Sequence, residues 1–106
     1  MRSETDPILN REVFLALWKI HILHHAAKYE IVGRWMLAEL REHGYDVSPG
    51  TLYPMLRRME RHGWLEAFPT ADAGPKAARP YRITPYGLEI LQRIRLQLAE
   101  LKSEMR

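Results

Sequence analysis

A chain of 106 residues, 46% hydrophobic and 27% charged, fits one globular domain with a modest core and little room for a deep substrate cleft. It has no cysteine, which excludes a disulfide framework, a thiolate nucleophile and a Cys-built zinc site. The net charge of +3 is concentrated between Ser48 and Arg82, where Arg57, Arg58, Arg61, Lys76, Arg79 and Arg82 stand against Glu60, Glu66 and Asp72. A localised basic surface is what a polyanion needs in order to dock, although a solvated charged face has the same composition.

The N-terminal "MRSETDPILNREVF" is too charged for a signal peptide, and no apolar run reaches the ~18 residues of a membrane span, so a cytoplasmic location is expected. Residues 8–25 are dense in Val, Leu, Ile and Trp. The spacing of Val13, Leu17, Ile20 and then Leu23 or His24 predicts a largely buried first helix. From Tyr29 to His43, Ile31, Trp35, Met36 and Leu40 share a stripe and predict a second helix, with Gly33 a close-packing position or a weak point. Gly44 is its expected C-terminal stop.

The third helix, 49–62, opens on Ser48 as N-cap and Pro49 at the first helical position, where a missing N–H costs nothing. Leu52, Met55, Leu56 and Met59 form its inward stripe. The opposite face is centred on Gly50, Pro54, Arg57 and Arg61, flanked by Tyr53 and Arg58. A flat cationic face bordered by a tyrosine is poorly suited to core packing and well suited to lying against another surface. Next, "WLEAF" and "YRIT" predict two strands joined by the Pro/Gly/Ala-rich "PTADAGPKAARP", a hairpin of residues 64–84. "TPYG" repeats the cap-then-proline start and opens a last helix over 85–105. In that helix Leu91, Ile94, Leu98, Leu101 and Met105 step by three and four, a heptad seam longer than a small core needs.

Helix, helix, turn, helix, hairpin, helix is a mainly α (α+β) arrangement: a winged helix-turn-helix with a two-stranded wing and a long C-terminal dimerisation helix. It divides into a DNA-binding part, 1–84, and a dimerisation helix, 85–106, within one compact unit. The stretch "VSPGTLYPMLRRMERHGWL", a wing ending in "PYRITPYG" and a single amphipathic C-terminal helix resemble the PadR family of bacterial transcriptional regulators over residues 12–105. The chain departs from the family at "AAKYEIVG", which keeps Tyr29 and Glu30 of the usual His-Gly-Tyr-Glu, and in having one C-terminal helix, like the compact members. The resemblance implies a cytoplasmic homodimeric repressor that binds double-stranded DNA at a palindromic operator and is released by a small-molecule effector near the dimer interface.

The expected DNA-contacting residues are Ser48, Gly50, Thr51, Tyr53, Arg57, Arg58 and Arg61, with Lys76 and Arg79 from the wing. Gly50 and Thr51 stand at a helix N-terminus, where N–H groups and the dipole favour phosphate. The dimer seam is expected at Leu91, Ile94, Leu98, Leu101 and Met105. Tryptophans 18, 35 and 64 read first as core; Trp18, on the helix expected near the dimer interface, is also the aromatic candidate for an effector platform. His21, His24 and His25 lie at chelation spacing, the basis of an alternative metal-responsive reading. No resident cofactor is expected. No constellation for nucleophilic catalysis and no phosphate-cradling glycine loop is present, so an enzyme is not expected. A protein–protein module is the other alternative; it calls for an apolar or acidic outer face on helix 49–62, and this face is basic.

Overall fold

Asp6 begins the first helix: its side chain accepts a hydrogen bond from the Leu9 N–H at 3.0 Å, with Pro7 at the first helical position. The computed structural model describes residues 6–68 and 79–106. Pro7–Leu9, a π-helical stretch Asn10–Phe14, and Leu15–Ala26 run on as one helix, α1. Its buried residues are Trp18, Ile22, Leu23 and Ala26. Of the predicted stripe only Leu23 is buried; Leu17 and Ile20 are half-buried and Val13 is exposed, so the face that meets the core is centred elsewhere, on Trp18 and Ile22. The helix carries large apolar residues nearly all round, so spacing alone does not choose which side meets the core.

Helix α2, Gly33–Glu42, starts four residues later than predicted. Ile31 is not helical: it lies extended, exchanging backbone hydrogen bonds with Tyr81 at 2.9 and 2.7 Å, and adds one rung to the wing. Met36, Leu37 and Leu40 are buried, whereas Trp35 lies off the core, edge-on to His25 and Tyr29. Beyond the cap at His43, Gly44 takes φ +94°. The N–H groups of Gly44 and Tyr45 donate to the carbonyls of Arg41 and Leu40, which satisfies the helix's last carbonyls as in a Schellman end. Helix α3, Pro49–Arg61, ends the same way, with Gly63 at φ +81° and Trp64 N–H donating to Met59.

Strands β1, Leu65–Ala67, and β2, Tyr81–Ile83, pair antiparallel in the register Leu65 to Ile83, Glu66 to Arg82 and Ala67 to Tyr81. Tyr81 is buried and Arg82 faces out, as the alternation predicts. Helix α4, Pro85–Glu104, follows at once. Its first half packs on α1 and β2, with Leu91 in the common core. Its second half projects away from the body and is exposed throughout.

Candidate nucleic-acid interface

Every buried residue of α3 lies on one stripe, Leu52, Met55, Leu56 and Met59, and all four are essentially inaccessible. The helix is thereby fixed about its own axis, and Gly50, Tyr53, Arg57, Arg58 and Arg61 are turned outward. Pro54 and Thr51 are half-buried at the edge of that face. Among the described residues no carboxylate pairs with Arg57, Arg58 or Arg61. Three neighbouring guanidinium groups on a helix anchored from behind, with no ion pair among the described residues, favour an anion laid across them.

Tyr53 has a second task. Its ring lies against Gly33 so closely that a Cβ there would overlap it, which identifies Gly33 as a close-packing glycine between α2 and α3. The tyrosine remains 36% exposed. It can therefore brace α3 with its ring and still offer its hydroxyl at the surface.

At the start of α3, Ser48 has the extended backbone of an N-cap, φ −101° and ψ 157°, but its side chain makes no capping hydrogen bond. The hydroxyl donates to Thr51 Oγ1 at 3.3 Å instead. The serine thus holds the predicted position without closing the first-turn N–H groups, which leaves the positive end of the helix open beside the arginines. On its inner side the turn is pinned by Arg41, whose Nε donates to the Val47 carbonyl at 3.2 Å.

The wing is less basic in effect than in composition. Arg79 approaches Glu60 of α3 at 3.5 Å. Arg82 pairs with Glu30 and stacks over the Phe68 ring at 4.7 Å, tying the wing to the segment before α2. Lys76, predicted at the wing tip, lies outside the described residues.

Trp18 is 2% exposed, edge-on to Tyr45 at 5.9 Å. It packs as a core residue on the buried side of α1 and also lines the groove formed with Leu15, Ser48 and Thr51. Its indole N–H has no hydrogen-bond partner among the described residues.

The histidine trio predicted from spacing is also revised. The side chains that converge are His21, His25 and His43, with one ligand atom from each lying within 4.8 Å of the others. His24 turns instead into the groove between α1 and α4, beside Leu17, Leu91, Arg95 and Leu98. Burial, reinforced by the neighbouring His43, His25 and His24, holds His21 below the ordinary imidazole pKa. Burial also lowers His25, against the opposing pull of Glu39, and lowers His24, with Lys28 adding to the effect. Spacing on one helix could not disclose His43, although Glu39 and His43 at i, i+4 were a local hint.

The predicted seam of α4 divides in two. Leu91 is 1% exposed and belongs to the chain's own core, because α1 already covers that turn; Ile94 is half-buried. Leu98, Leu101 and Met105 are exposed, the last two at 47% and 74%; Leu96, also exposed, lies on the opposite side of the helix. A row of leucines along a projecting helix is an unpartnered apolar face.

Residues 22–95 match the transcriptional regulator PadR-like family. The chain is 47% identical over 95 residues to the transcriptional regulator Rv3488 of Mycobacterium tuberculosis, spanning 90% of this chain and 88% of that protein. Its fold is similar to the crystal structure of a PadR-like transcriptional regulator from Bacillus cereus, at TM-score 0.77 and 28% identity over 89% of this chain and 92% of that one. A PadR family regulator from Clostridium difficile shares the fold at TM-score 0.73 and 22% identity, covering 83% and 93% of the two chains. No helix among the described residues is long and apolar enough to cross a membrane.

Proposed function

The chain belongs to the PadR-like family of transcriptional regulators, and on that premise we propose that it is a homodimeric repressor that binds a palindromic operator and is released by a small effector. The observation that carries the DNA reading is the outward face of α3, where Arg57, Arg58 and Arg61 have no acidic partner among the described residues and the Ser48 side chain makes no capping bond. In this reading α3 enters the major groove. Arg57 reads a base edge, Ser48, Gly50, Thr51 and Tyr53 hold phosphates, and Lys76 and Arg79 of the wing reach the adjacent backbone. Residues 1–84 form the DNA-binding part and residues 85–106 the dimerisation helix. The basic outer face argues against a protein–protein module.

The dimer reading rests on Leu98, Leu101 and Met105 on the projecting half of α4, with Ile94 at its root. Burying each large side chain stabilises pairing by about 1.5–3 kcal/mol. A two-fold dimer then presents two α3 helices about one DNA turn apart. The effector reading places the ligand in the groove between α1 and α4, lined by Leu17, Ile20, His24, Arg95 and Leu98, where it would alter the spacing of the two α3 helices.

Selection of bound fragments from genomic DNA, followed by gel shift, tests this directly. The expected product is a palindrome with half-sites about 34–36 Å apart, or a multiple of that. Ile94→Glu combined with Leu98→Glu is expected to sediment as a monomer and to lose the palindrome. A parent protein that is monomeric at micromolar concentration overturns the dimer reading.

A further inference from the structure

We propose that His21, His25 and His43, with Glu39 as a neighbouring partner of two of them, form a binding site for a divalent transition metal of the zinc, nickel and copper class, joining α1 to the turn that leads into α3.

The histidines come from two helices. His21 and His25 are one turn apart on α1, and His43 caps the end of α2. Glu39 stands one turn before His43, and its Oε2 receives both neighbours, with His43 Nε2 at 3.1 Å and His25 Nε2 at 3.5 Å. A tetrahedral ion with bonds of about 2.0–2.1 Å has ligand-to-ligand edges of roughly 3.3–3.4 Å. Those two N···O distances already bracket that edge. The three imidazoles place one donor atom each within 4.8 Å of the others, close enough to converge on a common centre.

Orientation is supplied from behind. His25 Nδ1 is hydrogen-bonded to the Tyr29 hydroxyl at 3.1 Å, so its Nε2 is the nitrogen presented inward. Outer contacts of this kind fix ring tautomer and direction at histidine metal sites. The His21 ring is held edge-on by Tyr45 at 5.5 Å and tilted against His43 at 4.9 Å between centroids. Three imidazoles suit zinc, nickel or copper and do not suit magnesium or calcium, which take oxygen ligands. His43 is 48% exposed, which gives an ion a path in and leaves room for a water ligand.

The position ties metal to DNA. His43 is followed by Gly44, at φ +94°, and by Tyr45, which packs on Trp18 and Phe14 of α1. An ion that draws His43 toward α1 acts on the segment that sets where α3 begins, so its affinity differs between arrangements of that turn. The ligand set lies within one chain and needs neither the dimer nor DNA.

The test is calorimetric titration of the full-length, chelator-treated protein with Zn²⁺, Ni²⁺ and Mg²⁺ in the absence of DNA. One Zn²⁺ or Ni²⁺ per chain and no Mg²⁺ binding are expected. His43→Ala is expected to weaken zinc by at least tenfold, and Tyr29→Phe, which removes only the outer contact, by about tenfold. His24→Ala, whose ring packs edge-on against His25 at 5.0 Å but supplies no donor atom to the cluster, is expected to weaken zinc far less than His43→Ala. Metal-free thermal unfolding of each variant separates loss of a ligand from loss of the fold; His43→Gln replaces His43→Ala if the alanine variant melts early. Absence of zinc binding by the parent, or equal losses in His24→Ala and His43→Ala, overturns the site and leaves the DNA reading intact. Operator affinity is then measured with and without Zn²⁺: a several-fold shift in the parent that His43→Ala lacks is expected, and an unchanged affinity at saturating zinc overturns the link to DNA.

Discussion

Two helices of this protein start with nearly the same words. Ser48-Pro-Gly opens α3 and Thr84-Pro-Tyr-Gly opens α4, each with a hydroxyl at the cap and proline at the first helical position. Their fates differ. Thr84 accepts from the Gly87 N–H at 2.9 Å and donates its own proton to the Gly63 carbonyl, and its N–H donates to Trp64. Gly87 is pressed so tightly on the Trp64 carbonyl that a Cβ would overlap it. That start is closed on its own chain and locks α4 to the root of the wing. At Ser48 no capping bond forms, and a Cβ built on Gly50 meets nothing nearer than Ser48 Oγ at 3.8 Å. The same signature therefore serves as a joint in one place and as an open surface in the other, and the neighbours decide which.

Paired substitutions test the contrast, and the glycines give the largest expected effect. Gly87→Ala must displace backbone, and a loss of about 1–3 kcal/mol in denaturant unfolding is expected. Gly50→Ala is expected to leave stability unchanged or raise it by up to about 1 kcal/mol, since alanine is the better helix former, while weakening DNA binding by placing a methyl between backbone and phosphate. Equal destabilisation by the two would erase the distinction. Next comes Arg57→Ala, whose side chain makes no ion pair among the described residues: if it reads a base, operator affinity is expected to drop by about 1–3 kcal/mol, with preference relaxed at one base position and the melting temperature nearly unmoved.

The caps themselves give the smaller effects. Thr84→Ala removes a cap bond and is expected to lower stability by ~1 kcal/mol. Ser48→Ala is expected to stay within about 0.5 kcal/mol of the parent in unfolding, as for a surface change. If Ser48 holds a phosphate, this substitution weakens all DNA sequences about equally in gel shift, which separates it from Arg57→Ala. A Ser48→Ala protein as destabilised as Thr84→Ala would show that α3 is capped after all.

Much of this was readable in advance wherever a helix had a single apolar stripe. The face of α3 emerged residue for residue from its spacing, because Leu52, Met55, Leu56 and Met59 leave one orientation that buries them all. In α1 the same method centred the buried face wrongly, since Leu17 and Ile20 compete with Trp18 and Ile22 and only packing against α2 and α4 separates them. Ile31 looked helical by spacing and became a rung of the wing because Tyr81, fifty residues on, offers both its hydrogen bonds. Leu91 fitted the heptad seam as well as Leu98 does, yet the body of the protein ends between them.

The sequence by itself determined the order of the elements, their caps and stops, the inward stripe of α3 and the family, because each is written in residues no more than a few positions apart. Tertiary structure alone decided that Ser48 stays open while Thr84 closes, that Trp35 lies off the core, and that His43 rather than His24 joins His21 and His25. Spacing along a helix gives a side chain's direction about its own axis. Whether that direction meets a carbonyl, another imidazole or open water depends on what the rest of the chain has folded against it.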